Sequence, residues 1–257
     1  MKLCKTLTFK RTMFNRTTFK KTTVQTVMVR LCLIFLATIP AYGQGQHGNL
    51  GIDFGQTSDK FGALSRSNAA VGDINGLVVV RQGKEKTGSP SIVVGGDVRF
   101  PSDTRNHANE FALFGGVMFR FNKSFSAGLR AQVHKLLLPP STIEGEVFNR
   151  NNMELIEFPL VLEYKFGPDK HFFVQAQGAP EFRPRWRSPA SGPTPLPDPG
   201  FDHAYFVRGS LGYNFGKWYV RGTYETRYFK FATGPGNPSN LYNWNTNMAT
   251  AGVGLAF

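Results

Sequence analysis

The stretch Ile156–Phe182 reads I-E-F-P-L-V-L-E-Y-K-F-G-P-D-K-H-F-F-V-Q-A-Q-G-A-P-E-F, and it decides the fold class. Aliphatic and aromatic residues occupy every second position from Ile156 to Phe166. A period of two predicts a β-strand, because successive side chains leave opposite faces of the pleat. Gly167-Pro168-Asp169-Lys170 has the composition of a turn, and the alternation resumes at Phe172. The stretch therefore predicts an antiparallel hairpin with strands of roughly a dozen residues, about twice the usual length in soluble sheets.

The same alternation recurs from Ser91 to Phe257, and the connections are alternately short and long. The short connections are 122–124, 167–170 and 216–217, and the long ones are 101–109, 139–152, 184–202 and 232–241. Long strands with one apolar face and this alternation of connections are typical of a barrel that spans a membrane. The sequence predicts an all-β fold, a closed antiparallel transmembrane β-barrel of about eight strands.

Aromatic residues flank both kinds of connection, as expected for two belts at the membrane interfaces. The belt near the short turns is predicted to contain Phe119, Phe121, Phe125, Tyr164, Phe166, Phe172, Tyr213, Phe215 and Trp218. The belt near the long loops is predicted to contain Phe100, Phe111, Phe158, Phe182, Tyr205, Phe229 and Trp244.

Residues 44–90 carry a weaker signal than residues 91–257, which we assign to the barrel. Short β-prone runs occur at 50–56 and 76–82, separated by polar sequence. The region 44–90 is predicted to be either an N-terminal extension or an extra strand pair. If residues 50–82 add a pair, the barrel has ten strands.

Residues 1–43 have the features of a signal peptide. The short apolar run Leu31–Ile39 follows Arg30, and Ala41-Tyr42-Gly43 fits the small-residue rule for cleavage after Gly43. Met28 offers an alternative translation start that would give a leader of ordinary length. The two cysteines, at positions 4 and 32, both lie here, so we expect neither a disulfide nor a cysteine metal site in the exported chain.

The net charge of +13 is concentrated in this leader, which holds eight of the 30 Lys and Arg residues and no acid. The remaining 22 basic residues face 17 acidic ones, so the charge does not indicate a nucleic-acid partner. The sequence contains no phosphate-binding glycine loop, no zinc-protease motif and no nucleophile elbow. We therefore expect no catalytic site, no metal and no cofactor.

If the apolar register faces the lipid, the other register fills the lumen. The residues predicted to line it are Asp97, Arg99, Arg120, Arg130, His134, Glu157, Glu163, Lys165, Gln175, Gln177, Glu181, Arg183, Arg208, Arg221, Glu225 and Arg227. A barrel of about eight strands is just wide enough inside for side chains to fill it. Buried charges must pair, because desolvation costs several kcal/mol per ion. We therefore expect a network of ion pairs that plugs the lumen, although bases outnumber acids in this set.

The chain ends in A-T-A-G-V-G-L-A-F, with Val253 and Leu255 at alternate positions before the terminal Phe257. This run resembles the C-terminal assembly signal of bacterial outer-membrane proteins. With the leader and the hairpins, residues 91–257 resemble the small outer-membrane β-barrel family of OmpA-type transmembrane domains and OmpX. The resemblance implies location in the cell outer membrane, with the lipid bilayer and, during biogenesis, the barrel-assembly machinery as partners.

Three functions fit this resemblance. The first is a structural or surface-interaction role without enzymatic activity, in which loop 184–202 contacts an extracellular ligand of unknown identity. The second is a small pore for polar or anionic solutes, suggested by the excess of bases in the predicted lumen. The third is an enzyme that acts on lipid or peptide, for which the Asp202-His203 pair resembles the rim residues of omptin-type proteases.

Overall fold

The computed structural model describes residues 48–62, 66–83, 89–139, 141–143, 146–148, 153–180, 185–186 and 200–257. The predicted leader, residues 1–43, and most of loop 184–202 lie outside these ranges, as do Glu181, Phe182 and Arg183. No helix in the described ranges is long and apolar enough to cross a membrane.

The described part of the chain forms fourteen strands. They are β1 (Gly48–Phe61), β2 (Ser67–Arg81), β3 (Ser91–Pro101), β4 (Asn109–Arg120), β5 (Phe125–Leu137), β6 (Ser141–Ile143), β7 (Glu146–Phe148), β8 (Met153–Glu157), β9 (Leu160–Phe166), β10 (Phe172–Ala179), β11 (Arg185–Trp186), β12 (Phe201–Phe215), β13 (Trp218–Phe231) and β14 (Trp244–Ala256). Single 3₁₀ turns occur at Pro168–Lys170 and Pro238–Asn240.

Ten antiparallel strand positions, which we call staves, close into a barrel. Their order is β5-β4-β3-β2-β1-β14-β13-β12-β10-β9, and β9 pairs back onto β5. The first and last strands are neighbours, and their ends exchange two hydrogen bonds between Gly48 and Phe257, at 2.8 and 3.0 Å. This arrangement confirms the closed antiparallel barrel and, of the two predicted counts, the one with ten strands. β1 and β2 supply the additional pair, β6 and β7 form a small separate hairpin, and β11 adds to β8.

The strand predicted from Ile156 to Phe166 is interrupted. β8 ends at Glu157 and β9 begins at Leu160, and both pair with β5. Pro159 lies at the break, where it has no N–H to donate to the ladder. Its carbonyl still accepts the N–H of Arg130 at 3.0 Å, so β8 and β9 continue as one stave. The predicted single strand is therefore wrong at this point, although the alternation of inward and outward residues is maintained across it.

The barrel has a short-turn end and a long-loop end. The short-turn end carries the connections 121–124, 167–171 and 216–217 together with both chain ends of the barrel. Gly216 and Gly167 have φ of 74° and 80°, which glycine adopts without the steric cost that a Cβ would add. The nine-residue connection 82–90 is also at this end, whereas β1 and β2 are joined at the long-loop end by only five residues. The alternation of short and long connections predicted for residues 91–257 is therefore confirmed, and it does not extend to the two connections before β3.

Apolar side chains cover the outside of the barrel, with Leu113 at 73% and Phe54 at 68% exposure. An aromatic belt near the short turns is present, and its exposed rings include Phe119, Phe121, Tyr164, Phe166, Phe172, Phe215 and Trp218. Of the predicted belt at the long-loop end, Phe100, Phe158 and Tyr205 are exposed. Phe229 and Trp244 are 0% and 1% exposed, because β13 and β14 place them in the inward register. Their assignment to the belt was wrong.

Candidate functional site

An apolar cluster closes the lumen at the long-loop end. The ring of Trp244 lies between those of Phe61 and Phe229, with centroid distances of 5.6 and 5.5 Å and nearly parallel planes. Phe231, Tyr242 and the apolar side chains Ala108, Leu136, Leu138, Met153, Leu155 and Leu241 complete the cluster. We call these eleven residues the apolar plug. Because they are all buried and in mutual contact, they leave the long-loop end packed like a soluble protein core.

The loop after β13 is folded over the plug by one buried asparagine. The side-chain amide of Asn237 donates to the carbonyl of Phe231 at 3.3 Å, and its oxygen accepts the N–H of Tyr242 at 2.9 Å. Asn237 is fully buried, so these hydrogen bonds also satisfy an amide that would otherwise be costly to desolvate. The loop is therefore part of the closure rather than a free connection.

Below the plug, Glu225 is the centre of an ion-pair layer. Arg99 donates to both of its carboxylate oxygens, at 3.0 and 2.9 Å, and Arg208 donates through Nε and Nη2 at 2.7 and 2.6 Å. Glu225 is on β13 and Arg99 on β3, four staves apart around the ring, so this bidentate pair crosses the lumen. Such forked contacts are the strongest that arginine makes with a carboxylate.

A second part of the layer surrounds His134 on β5. Its Nδ1 is 3.1 Å from Glu157 and its Nε2 is 3.0 Å from Glu110, so both ring nitrogens face carboxylates. Glu157 also accepts from Arg227 at 2.9 Å, and Glu110 accepts from Arg99 at 2.8 Å. The two parts are thus continuous through Glu110 and Arg99. All five side chains are at most 5% exposed, and the ion-pair layer spans the lumen beneath the plug.

The short-turn half of the lumen contains more loosely arranged polar groups. Arg221 pairs with Asp53, which also accepts from Asn75 at 2.7 Å. Gly252 lies between the two strands that carry this pair, and a Cβ there would be 1.9 Å from a carboxylate oxygen of Asp53. Glycine is therefore required at this position by the close approach of a side chain.

Most of the predicted lumen residues face inward. Those that the structure brings into the lumen are Asp97, Arg99, Arg130, His134, Glu157, Glu163, Lys165, Gln175, Gln177, Arg208, Arg221, Glu225 and Arg227. Arg120 ends β4 at the short-turn end and is exposed to solvent, because the strand terminates where the lumen opens. Glu181 and Arg183 lie outside the described residues.

Four buried acids were missed by the sequence analysis: Asp53, Asp59, Asp73 and Glu110. A period of two, extended through β1 from the predicted β-prone run 50–56, places Asp53 and Asp59 inward. Glu110 precedes Phe111 directly and could have been included in β4 by the same period. With these acids, the described inward-facing residues no longer show the excess of bases that suggested an anion-selective pore.

An unpredicted series of three hydrogen-bonded side chains lies at the long-loop end. His107 Nδ1 is 2.7 Å from Asp59, and its Nε2 is 3.0 Å from the hydroxyl of Ser67. In a neutral ring, Nδ1–H donates to the carboxylate and Nε2 accepts the serine hydroxyl. The order of contacts is that of a hydrolytic Ser-His-Asp triad. However, His107 is 0% exposed, and its contacts fasten the loop between β3 and β4 to the β1–β2 hairpin.

The loop that carries His107 is itself ordered by Asp103. The backbone N–H of Arg105 donates to this carboxylate at 3.0 Å and the side chain of Asn106 donates at 2.8 Å. These hydrogen bonds stabilise the ionised form and lower the pKa of Asp103. Hydrogen bonds within residues 103–106 therefore hold the loop conformation just ahead of His107 in the sequence.

Asp202 and His203, the pair considered for an omptin-like activity, are in contact at 3.4 Å on the exposed rim. Lys230 approaches the other oxygen of the same carboxylate at 3.3 Å. Both Asp202 and His203 are about half exposed, and no other acidic or histidine side chain contacts them among the described residues. The pair has the geometry of a solvated surface ion pair.

Comparisons with known proteins give similarity at low identity. No family model and no curated protein matches the chain. Among solved structures, the outer membrane protease OmpT from Escherichia coli is 13% identical with a TM-score of 0.38, covering 86% of this chain and 100% of that one. Neisserial surface protein A is 10% identical with a TM-score of 0.36, covering 82% and 97%. The KdgM porin is 10% identical with a TM-score of 0.32, covering 80% and 99%.

Closed barrels are one of only two backbone arrangements that leave no unsatisfied polar groups in lipid. The apolar outer band, the aromatic belt and the charged interior are the features expected of a barrel that spans a lipid bilayer. The chain is a ten-stranded antiparallel barrel of the transmembrane type, and an apolar plug and an ion-pair layer close its lumen at the long-loop end.

Proposed function

We propose that this protein is an outer-membrane β-barrel whose lumen is closed to solutes and whose role is structural or surface-interacting. The observation that carries the proposal is the bidentate pair between Arg99 and Glu225, which crosses the lumen directly beneath the apolar plug. Both the apolar plug and the ion-pair layer would have to move before a hydrated solute could pass through the lumen. We do not favour the alternative of a small anion-selective pore, because the described inward-facing residues lack the excess of bases that suggested it.

The orientation follows from the rule that outer-membrane barrels have short periplasmic turns and long extracellular loops. In this orientation, the plug and its covering loop face the outside, and the chain termini of the barrel face the periplasm. The outward positions of Val253 and Leu255 on β14 are available to the barrel-assembly machinery before β14 pairs with β1. Recognition of the C-terminal signal by that machinery is part of the proposal, as is an extracellular ligand for loop 184–202.

Planar-bilayer conductance tests the closed lumen. The chain is refolded into detergent, and folding is verified by heat-modifiable migration on a gel. We expect insertion without discrete channels at moderate salt. A mock preparation from cells that lack the gene, taken through the same refolding, serves as the control for contaminating porins. A reproducible sub-nanosiemens channel that appears only in the folded sample would refute the closed lumen.

We further propose that the barrel has no hydrolytic activity, despite the triad-like order of Asp59, His107 and Ser67. A triad histidine must exchange protons with substrate and leaving group, and the ring of His107 is fully buried. We therefore expect no covalent labelling of Ser67 by a fluorophosphonate probe. Labelling of the folded wild type that disappears in Ser67→Ala, and also in heat-denatured wild type, would show that this proposal is wrong.

A further inference from the structure

A cavity of about 280 Å³ lies in the short-turn half of the lumen, below the ion-pair layer. Its volume is near the lower end of the roughly 300–1,000 Å³ found for ligand pockets. Lys165 and Glu163 form its outer edge and are 30% and 25% exposed, so the cavity communicates with solvent at that end. A molecule can reach it without passing the apolar plug.

Four basic side chains line the cavity, and three of them are already paired. Arg208 pairs with Glu225 and Asp97, Arg221 pairs with Asp53, and Lys165 pairs with Glu163 at 3.4 Å. The fourth is Arg130 on β5.

Arg130 is 6% exposed, and its buried Nε has no hydrogen-bond partner among the described residues. The carboxylates of Asp97 and Glu163 attract the guanidinium, but neither forms an ion pair with it in the described part of the chain, where they pair with Arg208 and Lys165. The Phe114 ring lies 4.3 Å below the guanidinium carbon and fixes its orientation. A buried cation costs several kcal/mol unless an anion compensates it. Stacking on one ring supplies only part of that compensation.

A second polar group in the cavity wall is also unsatisfied. The hydroxyl of Tyr219 is buried, and the described part of the chain offers it no hydrogen-bond partner. The Tyr219 side chain fits against two strands only because glycine occupies positions 51 and 254. A Cβ at either position would be within 2.4 Å of the hydroxyl oxygen. The amides of Gln175 and Gln177, the latter donating to the former at 3.0 Å, add further hydrogen-bonding groups to the wall.

We propose that this cavity binds a small organic anion of about monosaccharide size, with its carboxylate or phosphate group on Arg130. A planar guanidinium held flat against a ring presents its N–H groups as a fork, which matches a carboxylate or phosphate. The tyrosine hydroxyl and the glutamine amides suit the hydroxyl groups of a sugar acid or sugar phosphate. Entry is from the short-turn end, so binding does not depend on whether the lumen conducts.

Isothermal titration calorimetry on the refolded full chain in detergent tests the proposal. The probes are glucuronate, glucose 6-phosphate and inorganic phosphate, with uncharged glucose as the control. We expect saturable binding of at least one anion and none of glucose. Preference for glucuronate assigns a carboxylate ligand, and preference for the two phosphates assigns a phosphorylated one. No anion binding up to about 10 mM, or equal binding of glucose, would overturn the proposal.

Matched variants locate the site. Arg130→Gln should weaken anion binding at least tenfold, because a charged hydrogen-bonding partner is lost. Arg120→Gln removes the same charge from the exposed end of the neighbouring strand and should leave binding unchanged. Tyr219→Phe removes only a hydroxyl and provides a second, less disruptive test, with an expected weakening of about threefold to tenfold. Equal affinity in wild type, Arg130→Gln and Tyr219→Phe, each shown to be folded by heat-modifiable migration, would overturn the assignment. If Arg120→Gln weakens anion binding as much as Arg130→Gln does, the assignment of the site to Arg130 would also be overturned.

Discussion

Glu225→Gln is the substitution that should most sharply distinguish the ion-pair layer from an ordinary polar lumen. The carboxylate is 0% exposed and accepts four hydrogen bonds of 2.6 to 3.0 Å from Arg99 and Arg208. An amide keeps the shape of the side chain, but it removes the charge and turns one acceptor into a donor that faces a guanidinium. Two buried cations then lose most of their compensation.

The expected cost can be bounded from these contacts. Hydrogen bonds to charged groups contribute about 1.5–3 kcal/mol each, but the four come from only two arginine side chains and are not additive. Breaking a buried ion pair by removing one partner costs about 3–5 kcal/mol, and we expect a loss of unfolding free energy of that size. Glu163→Gln is the matched control. Its carboxylate is 25% exposed and pairs with a partly exposed Lys165, so its removal should cost about 0–1 kcal/mol.

Equilibrium unfolding in urea, followed by tryptophan fluorescence of the barrel in lipid vesicles, measures both variants. Trp244 reports directly, because it is buried in the apolar plug next to the ion-pair layer. The linear dependence of unfolding free energy on denaturant gives the difference between variants. If Glu225→Gln and Glu163→Gln lower the free energy of unfolding by the same amount, or neither lowers it by as much as about 1 kcal/mol, the layer does not stabilise the barrel as argued.

Further predictions concern the lipid face and the close approach of strands. Leu162→Arg on the outer surface should cost about 2–4 kcal/mol or block assembly, whereas Gln177→Arg in the lumen should be tolerated; equal effects on folding yield would contradict the assigned faces. Gly252→Ala should lower the urea midpoint, because the new Cβ would meet the carboxylate and backbone of Asp53. Gly209→Ala on the outside of the barrel is the control, because its new Cβ meets no atom within 4 Å and the urea midpoint should change little. Equal midpoints for the two variants would contradict the predicted clash at Gly252.

The sequence by itself determined which residues face lipid and which face the lumen. This information is local, because a period of two assigns each side chain in a strand to a face, and the turn at Gly167–Lys170 fixes the register of the neighbouring stave. The same reasoning assigned most of the lumen residues, and it failed where a strand ended early, as at Arg120, or where residues near a loop belonged to a strand, as at Glu110.

Only the tertiary structure decided which inward-facing groups meet. Arg99 and Glu225 are 126 residues apart in the chain, and their pairing depends on the closure of β1 onto β14. The assignment of Trp244 to the belt was an error of a different kind, because the period of two that places Val253 and Leu255 outward places position 244 inward. What only the tertiary structure shows is that its ring packs against Phe61 and Phe229 in the apolar plug. Local periodicity cannot specify contacts across a lumen, because they are made between strands that never pair.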